Sequence, residues 1–171
     1  LVVLQLLLEH GAADEEHGVL DSILRTDGSG GDYLKIPGGG SLHPASHDTV
    51  DKKLHYITQD GRVVFKFAVK GMADVSAQIL EQNGIASSSI DLYIPHQANK
   101  RIIDGAAERC GFNENQVFIN IDRYGNTTAG TIPICIDEAV EFGRLQDGNL
   151  LLIAAFGAGF SWGSMLIRWG K

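Results

Sequence analysis

The sequence contains little cysteine, no excess of positive charge and no long hydrophobic run. Its two cysteines, Cys110 and Cys135, belong to no Cys-x-x-Cys or Cys/His pattern, which argues against a zinc site. The formal net charge of −7 argues against nucleic-acid binding, because phosphate contacts need a basic surface. The longest apolar run, 150–156, is strand-sized, whereas a membrane-spanning helix needs about 20 residues. We therefore expect neither a nucleic-acid partner nor a membrane partner.

The sequence does contain enough apolar material for a packed core. A chain of 171 residues, 44% of them hydrophobic and 20% charged, is long enough to bury about 70% of its surface on folding. Its opening run, residues 1–8, is strongly apolar and follows no basic segment, so we expect the cut edge of a sheet and no signal peptide. Lone thiols without a secretory signal fit a reducing cytoplasm, where we expect the protein to reside.

Hydrophobic periodicity and turn residues predict alternating strands and helices. The predicted strands are residues 1–8, 19–24, 90–94, 117–121, 150–156 and 162–169. The predicted helices are residues 62–82, 97–110 and 131–142. Residues 26–46 form a long glycine-rich loop, and loops of this length are usually functional or mobile. Strand–helix alternation that ends in a strand pair indicates a layered α/β sheet.

The histidine pair and the two cysteines have simple structural interpretations. His43 and His47 are four residues apart, but they lie in a loop without a third ligand, so no metal site is predicted. Cys110 precedes a glycine at a predicted helix end, and Cys135 lies in an apolar run. We expect both thiols to be buried packing groups and not nucleophiles.

Three cations share one face of the predicted helix 62–82. Arg62, Lys66 and Lys70 recur at every fourth residue, which places them in one stripe along the helix. Such a stripe is either an ordinary solvated face or a docking surface for an anionic partner. Like charges at this spacing repel slightly, so the stripe brings no benefit to folding.

Two polar residues follow predicted strands, at the carboxyl ends where α/β proteins place their ligand-binding and catalytic side chains. His96 comes after the strand 90–94 and opens the predicted helix 97–110, whose N-terminus disfavours a protonated imidazole. Asn126 lies between a glycine and a threonine pair, where the backbone can approach a ligand. Together they could donate two hydrogen bonds to one oxygen, as an oxyanion hole does. On spacing alone the signal is weak, because a lone His at a helix start is more often a cap or core residue and a Gly-Asn pair in a loop is usually a turn.

Four runs of the sequence, taken together and in this order, form a pattern that can be compared with known families. They are GRVVFKFAV (61–69), IPHQANKRII (94–103), INIDRYGNTTAGTIPICIDEA (119–139) and AAFGAGFSWGSMLIRW (154–169). Together they resemble β-ketoacyl-acyl-carrier-protein synthase III, the initiating condensing enzyme of type II fatty-acid synthesis. The resemblance implies a thiolase-like layered α/β fold, a mixed five-stranded sheet with helices, of which this chain is the C-terminal half of a duplicated architecture. Residues 1–60 would be the end of the N-terminal half with the loop region, and residues 61–171 the C-terminal condensing-enzyme domain.

The resemblance also implies the reaction, a decarboxylative Claisen condensation of an acyl-CoA primer with malonyl-acyl carrier protein. His96 and Asn126 would bind the thioester carbonyl oxygen and stabilise the enolate left by decarboxylation. Coenzyme A and phosphopantetheine would enter as parts of the substrates, with no permanently bound cofactor. The protein is expected to act as a homodimer.

Two further segments resemble binding elements of the family. The carrier-protein-binding segment would consist of Gln97, Ala98, Asn99, Lys100 and Arg101, with possible docking charges from Arg62, Lys66 and Lys70. The glycine turn beside the active site would consist of Gly157, Gly159 and Phe160. Small residues there would let the backbone approach the thioester.

The main departure from the family pattern is that no run resembles the segment that carries its nucleophilic cysteine. We therefore expect the nucleophile in the missing N-terminal half of the same enzyme, and we expect this segment alone to be inactive in condensation. Two alternatives remain open. The chain could be a non-catalytic fragment or homologue that binds acyl carrier protein, or it could belong to a related polyketide-type synthase with the same Cys-His-Asn set.

Overall fold

The computed structural model describes residues 17–170, so the predicted strand 1–8 lies outside the described residues. The strands are β1 (Gly18–Thr26), β2 (Leu34–Lys35), β3 (Thr58–Gln59), β4 (Leu92–Pro95), β5 (Leu150–Gly157) and β6 (Ser161–Arg168). The helices are α1 (His47–Asp51), α2 (Gly61–Gln82), α3 (Lys100–Cys110), α4 (Ile121–Tyr124) and α5 (Thr131–Glu141). Short 3₁₀ helices cover Gly28–Tyr33, Ser87–Ser89 and Thr128–Gly130.

The main sheet has the strand order β1-β6-β5-β4. β4 and β5 are parallel, whereas β5 pairs with β6 and β6 with β1 in antiparallel register. β2 and β3 form a separate two-stranded sheet. The mixed sheet with helices on both faces confirms the layered α/β architecture that the strand–helix alternation predicts.

Alternation along β5 divides the core into two layers. Leu150, Leu152 and Ala154 belong to the cluster formed with α2 and α3. Leu151 and Ile153 belong to the cluster formed with α5. Because successive side chains of a strand point to opposite faces, a strand covered by helices on both sides must be apolar at every position, as β5 is.

The segment predicted as the strand after α3 is much shorter than expected. Val117 forms a single parallel bridge with Tyr93 of β4, and the backbone N–H of Phe118 donates to the carbonyl of Tyr93 at 3.0 Å. The next hydrogen bond goes elsewhere, because the backbone N–H of Asn120 donates to the side chain of Gln97 at 3.1 Å. Within residues 17–170 the main sheet therefore has four strands, with one bridge where a fifth strand was expected.

The predicted helix ends are confirmed for α2 and corrected for α3. Asp60 caps α2 by accepting hydrogen bonds from the backbone N–H groups of Arg62 and Val63. α3 begins at Lys100 and not at residue 97, because Asn99 is extended and its side chain accepts from the backbone N–H of Arg101. His96 therefore lies four residues before the helix and does not open it.

The glycine-rich stretch 26–46 is tied to the main sheet at one end. Asp27 and Phe160 exchange two backbone hydrogen bonds of 2.8 and 2.7 Å. Gly30 is buried against the ring of Phe160, and a Cβ atom at residue 30 would lie 2.3 Å from the nearest ring carbon. Glycine is therefore required at this position by a close approach between the loop and the β5–β6 hairpin.

Within residues 17–170, no helix combines the length and the apolar character that crossing a membrane requires.

Replacing Gly30 with alanine should lower the free energy of unfolding by about 1–3 kcal/mol, because the new methyl group overlaps the buried Phe160 ring. Thermal or urea unfolding of the intact protein measures this change. Gly28→Ala is the matched control, since a Cβ atom there meets nothing within 4 Å. Equal stability of the two variants would contradict the predicted overlap.

Candidate active site

His96 is held at the carboxyl end of β4 by the sheet itself. Its backbone N–H donates to the carbonyl of Ala154 at 2.8 Å, which extends the parallel β4–β5 ladder by one residue. The side chain is half-buried, and this burial lowers the pKa of His96 below its ordinary value. Burial therefore favours the neutral imidazole that was predicted, although the cause is desolvation and not a helix N-terminus.

A chain of hydrogen bonds connects His96 with Asn126. Nδ1 of His96 lies 2.6 Å from the hydroxyl of Thr131, and that hydroxyl lies 3.1 Å from the carbonyl oxygen of Thr128. The backbone N–H of Thr128 donates to Oδ1 of Asn126 at 2.9 Å. The backbone N–H of Thr131 also donates to the carbonyl of Thr128, so the residue Thr131 and the backbone of Thr128 join the two predicted site residues.

These contacts leave a donor available on Asn126. Its Oδ1 atom is already an acceptor, so the amide NH₂ group is the end of the side chain that remains to bind a ligand. Neither Nδ2 of Asn126 nor Nε2 of His96 has a partner within the part of the chain that the structure describes. The side chain of Asn126 is exposed. Both side chains therefore keep one nitrogen that no described residue binds.

A buried carboxylate holds the segment that precedes Asn126. Glu138 of α5 accepts hydrogen bonds from Nδ2 of Asn120 (2.8 Å), the guanidinium of Arg123 (2.5 Å) and the hydroxyl of Tyr124 (2.9 Å). Burial raises the pKa of Glu138, but the hydrogen bonds from these three side chains outweigh it and lower the pKa overall. α4 is therefore fastened to α5 by one charged group.

Gly125 links this fastened turn to Asn126. Its φ of 66° and ψ of −162° place it where a side chain would be strained. Glycine at residue 125 is thus required by the sharp change of direction that delivers Asn126 to the site.

Gln97 was predicted to belong to the carrier-protein-binding segment, and the structure places its side chain inside the protein. Its side chain is fully buried. The side-chain NH₂ donates to the carbonyl of Pro95 at 2.7 Å, while its oxygen accepts from the backbone N–H of Asn120. Gln97 therefore joins the loop that carries His96 to the segment that precedes Asn126. Ala98, next to it, is half-buried.

The other three residues of the predicted binding segment are exposed, and each of them contacts a different partner. Asn99 caps α3. Lys100 is paired with Asp104 at 2.8 Å, which neutralises much of its charge locally. Arg101 places its guanidinium 5.2 Å from the centre of the Phe65 ring of α2.

The predicted cation stripe on α2 is exposed along its length. Lys70 forms an ion pair with Asp74, whereas Arg62 and Lys66 form no ion pair within residues 17–170. Because Phe65 lies three residues after Arg62 on α2, the contact with Phe65 brings Arg101 to the surface next to Arg62. We call Arg62, Lys66 and Arg101 the basic surface.

The glycine turn lies past the same end of the sheet as His96. β5 runs three residues beyond Ala154 to Gly157 before the chain turns back into β6. Gly159 has a φ of 139°, and a Cβ atom there would lie 2.7 Å from the hydroxyl of Ser161, so its own backbone requires glycine. Phe160 is fully buried, with its ring centre 4.9 Å from that of Phe156. Its side chain anchors the turn in the core.

Both cysteines are buried, as predicted. Burial raises the pKa of the Cys110 thiol to about 11 and that of the Cys135 thiol to about 12. The thiol of Cys135 donates to Oδ1 of Asn120 at 3.0 Å, which gives it a structural role. Neither thiol has the low pKa or the exposure of a nucleophile. Within residues 17–170, no cluster of three or more His, Cys, Asp or Glu side chains could hold a metal ion.

Comparison with known proteins assigns this arrangement to a family. The family model for the C-terminal region of 3-oxoacyl-[acyl-carrier-protein] synthase III matches residues 80–169, which is more than half of the chain. The chain belongs to this family. The synthase III C-terminal region thus contains β4, both predicted site residues and the β5–β6 hairpin.

Individual relatives agree with the family match. A protein of Chlorobium luteolum named beta-ketoacyl-[acyl-carrier-protein] synthase III is 55% identical over 159 residues, which are 92% of this chain and 48% of the relative. The Pseudomonas aeruginosa synthase III, known from a crystal structure, is 34% identical in sequence to this chain. The two structures match with a TM-score of 0.82 over 95% of this chain and 47% of that one. The priming β-ketosynthase of the R1128 polyketide pathway is 28% identical, with a TM-score of 0.76 over 90% of this chain.

The synthase III relatives confirm the thiolase-like fold and the resemblance that the sequence motifs indicate. The chain spans about half the length of these relatives, consistent with a C-terminal half. The division into residues 1–60 and 61–171 stays a prediction.

Sequence reasoning missed Thr131 and Glu138 as parts of the site. Both lie on the buried side of α5, in register with Cys135 at intervals of four and three residues. A carboxylate on the apolar stripe of a helix was the available signal, because an acidic side chain is buried only where donors meet it.

Replacing Glu138 with glutamine should destabilise the intact protein by about 1–3 kcal/mol at neutral pH, because the negative charge is lost and one acceptor oxygen becomes an NH₂ group that faces donors. A carboxylate whose pKa is lowered by folding stabilises the protein above its unfolded pKa of about 4.3 and loses that effect as pH falls through the folded pKa. The difference between the wild-type protein and Glu138→Gln should therefore be largest near pH 7 and shrink in acid.

Urea unfolding at several pH values measures this difference. Glu141→Gln, on the exposed side of the same helix, is the control and should change stability by less than about 0.5 kcal/mol. A loss of stability in Glu138→Gln that does not depend on pH would show that the charge is not what holds the turn.

Proposed function

We propose that this chain is the C-terminal half of a β-ketoacyl-acyl-carrier-protein synthase III that starts fatty-acid synthesis. In the proposed reaction an acyl group from acyl-CoA is condensed with malonyl-acyl carrier protein. The observation that carries the proposal is the hydrogen-bonded chain from His96 to Asn126, which leaves Nε2 and Nδ2 available at one end of the sheet. The names of the relatives support the same reaction.

The proposed role of the pair is to stabilise negative charge. When the malonyl carboxylate leaves as carbon dioxide, the electrons of the broken C–C bond move onto the thioester as an enolate. Two fixed donors can bind the enolate oxygen without reorganising at the moment of reaction. The carbanion carbon then attacks an acyl thioester on the enzyme, the C–C bond forms, and the enzyme thiolate leaves. Since Cys110 and Cys135 are buried with raised pKa values, that thiolate would come from the other half of the enzyme.

Replacing His96 or Asn126 with alanine in the intact enzyme should lower the rate of malonyl-acyl carrier protein decarboxylation by about 10²–10³-fold each, the usual cost of removing one oxyanion donor. Carbon dioxide release measures the rate. Acyl transfer from acyl-CoA to the enzyme should survive, because that step needs the thiolate. His43→Ala, at an exposed loop residue, is the matched control. Wild-type decarboxylation in both site variants would exclude the proposed role.

We also propose that the basic surface docks acyl carrier protein, an acidic partner. Arg62, Lys66 and Arg101 support this role because they are exposed and no ion pair within residues 17–170 satisfies them. Lys70 and Lys100, which were also predicted to dock the carrier protein, are paired with Asp74 and Asp104 and would contribute less. Electrostatic docking of this kind mainly raises the association rate and weakens with salt.

Reversing two charges in Arg62→Glu/Lys66→Glu should weaken carrier-protein binding by at least about tenfold at low salt and flatten its salt dependence. Titration of the intact protein with acyl carrier protein at increasing salt measures both effects. Lys52→Glu/Lys53→Glu changes the net charge equally on exposed residues elsewhere and should bind normally. Equal weakening in both double variants would assign the effect to overall charge and not to this surface.

A second candidate is a polyketide-type synthase that uses the same reaction with a different carrier protein. The similarity to the R1128 priming β-ketosynthase supports this second candidate. Condensation with the carrier protein of fatty-acid synthesis, compared with that of a polyketide pathway, distinguishes the two. Binding of either carrier protein without decarboxylation by the intact protein would instead support a non-catalytic role.

A further inference from the structure

The hydroxyl of Thr131 lies within hydrogen-bond distance of the His96 ring. Thr131 is the first residue of α5 and only 2% exposed. Its Oγ1 atom has two neighbours that can share its single proton: Nδ1 of His96 at 2.6 Å and the carbonyl oxygen of Thr128 at 3.1 Å. The direction of that proton determines which nitrogen of the imidazole carries hydrogen.

Two arrangements satisfy the geometry, and they have opposite consequences. If Thr131 donates to Thr128, then Nδ1 of His96 must carry the ring proton, and Nε2 is an acceptor. If Thr131 donates to Nδ1, then Nε2 carries the proton and becomes a donor. Only the second arrangement allows a neutral His96 to donate a hydrogen bond to an oxygen in the site.

Two observations favour the second arrangement. The carbonyl of Thr128 already accepts a hydrogen bond from the backbone N–H of Thr131, so it does not need the hydroxyl proton. The contact with Nδ1 is also shorter by half an ångström than the contact with that carbonyl.

We propose that Thr131 is a positioning residue that donates its hydroxyl proton to Nδ1 of His96 and thereby holds the neutral ring in the Nε2–H tautomer. The consequence for catalysis rests on the proposed function, because it is the enolate oxygen that would receive the Nε2–H hydrogen bond. Thr131 itself would not touch the substrate.

The same contacts connect the tautomer with the Asn126 loop. Thr128 has a φ of 55°, an uncommon conformation for a β-branched residue. Its N–H donates to Asn126 and its carbonyl accepts from Thr131, so hydrogen bonds on both sides of the residue hold this conformation. Thr131 therefore supports the direction of both donors, one through its hydroxyl and the other through its backbone.

The direct test is the tautomer of His96, observed by nitrogen NMR of the intact protein labelled with ¹⁵N-histidine. Correlations from the ring carbons show which ring nitrogen carries hydrogen, and a His96→Gln variant assigns the signals. We expect the Nε2–H form in the wild-type protein and in Thr131→Ser, and a shift toward the Nδ1–H form in Thr131→Val. Thr127→Val, which removes an exposed hydroxyl from the same loop, should leave the tautomer unchanged. If Thr131→Val does not fold, Thr131→Ala takes its place.

Kinetics provide the second measurement. Decarboxylation of malonyl-acyl carrier protein by Thr131→Val should have kcat lowered by about 10–100-fold, less than complete loss of an oxyanion donor, with KM nearly unchanged. Thr131→Ser should recover most of this loss, because it restores the hydroxyl.

The outcomes separate this inference from the proposed function. An Nδ1–H tautomer in the wild-type protein, or an unchanged tautomer in Thr131→Val, would overturn the role of Thr131 even if the enzyme decarboxylates normally. A tautomer that follows the Thr131 hydroxyl in a protein without decarboxylation activity would uphold the inference and refute the proposed function.

Discussion

The parallel pairing of β4 with β5 is the constraint on which the site depends. β4 is buried along its whole length, and residues of β5 pack into a helical layer on each side of the sheet. A strand enclosed in this way cannot shift its register, because a shift by one residue would exchange the two apolar faces. The pairing continues through the backbone of His96 to Ala154, so the position of the imidazole is determined by the sheet and not by a flexible loop.

Buried polar side chains extend this order to the loops. Gln97 connects the loop after β4 with the backbone of Asn120, and Glu138 connects α4 with α5. Each of these side chains is almost fully satisfied by hydrogen bonds, as groups removed from water must be. The polar interior of this region thus serves to join chain segments, while the Asn126 amide and the Nε2 atom of His96 have no partner among the described residues.

The elements that the sequence predicts well are those with a strong hydrophobic period. α2, β5 and β6 were found within one residue of their predicted ends, because one apolar stripe or one apolar run defines each of them. The start of α3 and the short segment at Val117 were predicted wrongly, since a side-chain cap and a side-chain hydrogen bond decide them. Neither type of interaction leaves a periodic pattern in the sequence.

The candidate site shows the same division. His96 and Asn126 follow apolar strands or glycine, so local sequence and family motifs point to both. Gln97 was placed in the carrier-protein-binding segment by family resemblance, and only the fold could show that its side chain lies inside the protein. Thr131 and Glu138 act through partners that are distant in sequence, which spacing alone does not reveal.

The pairing of β1 with β6 joins the two ends of the described chain, with Gly18 opposite Arg168. During synthesis β1 leaves the ribosome long before its partner strand exists. Its core residue Ile23 must therefore remain without the sheet until about 140 further residues have been made. Closure of the described sheet thus waits for β6, the last of its four strands to be translated.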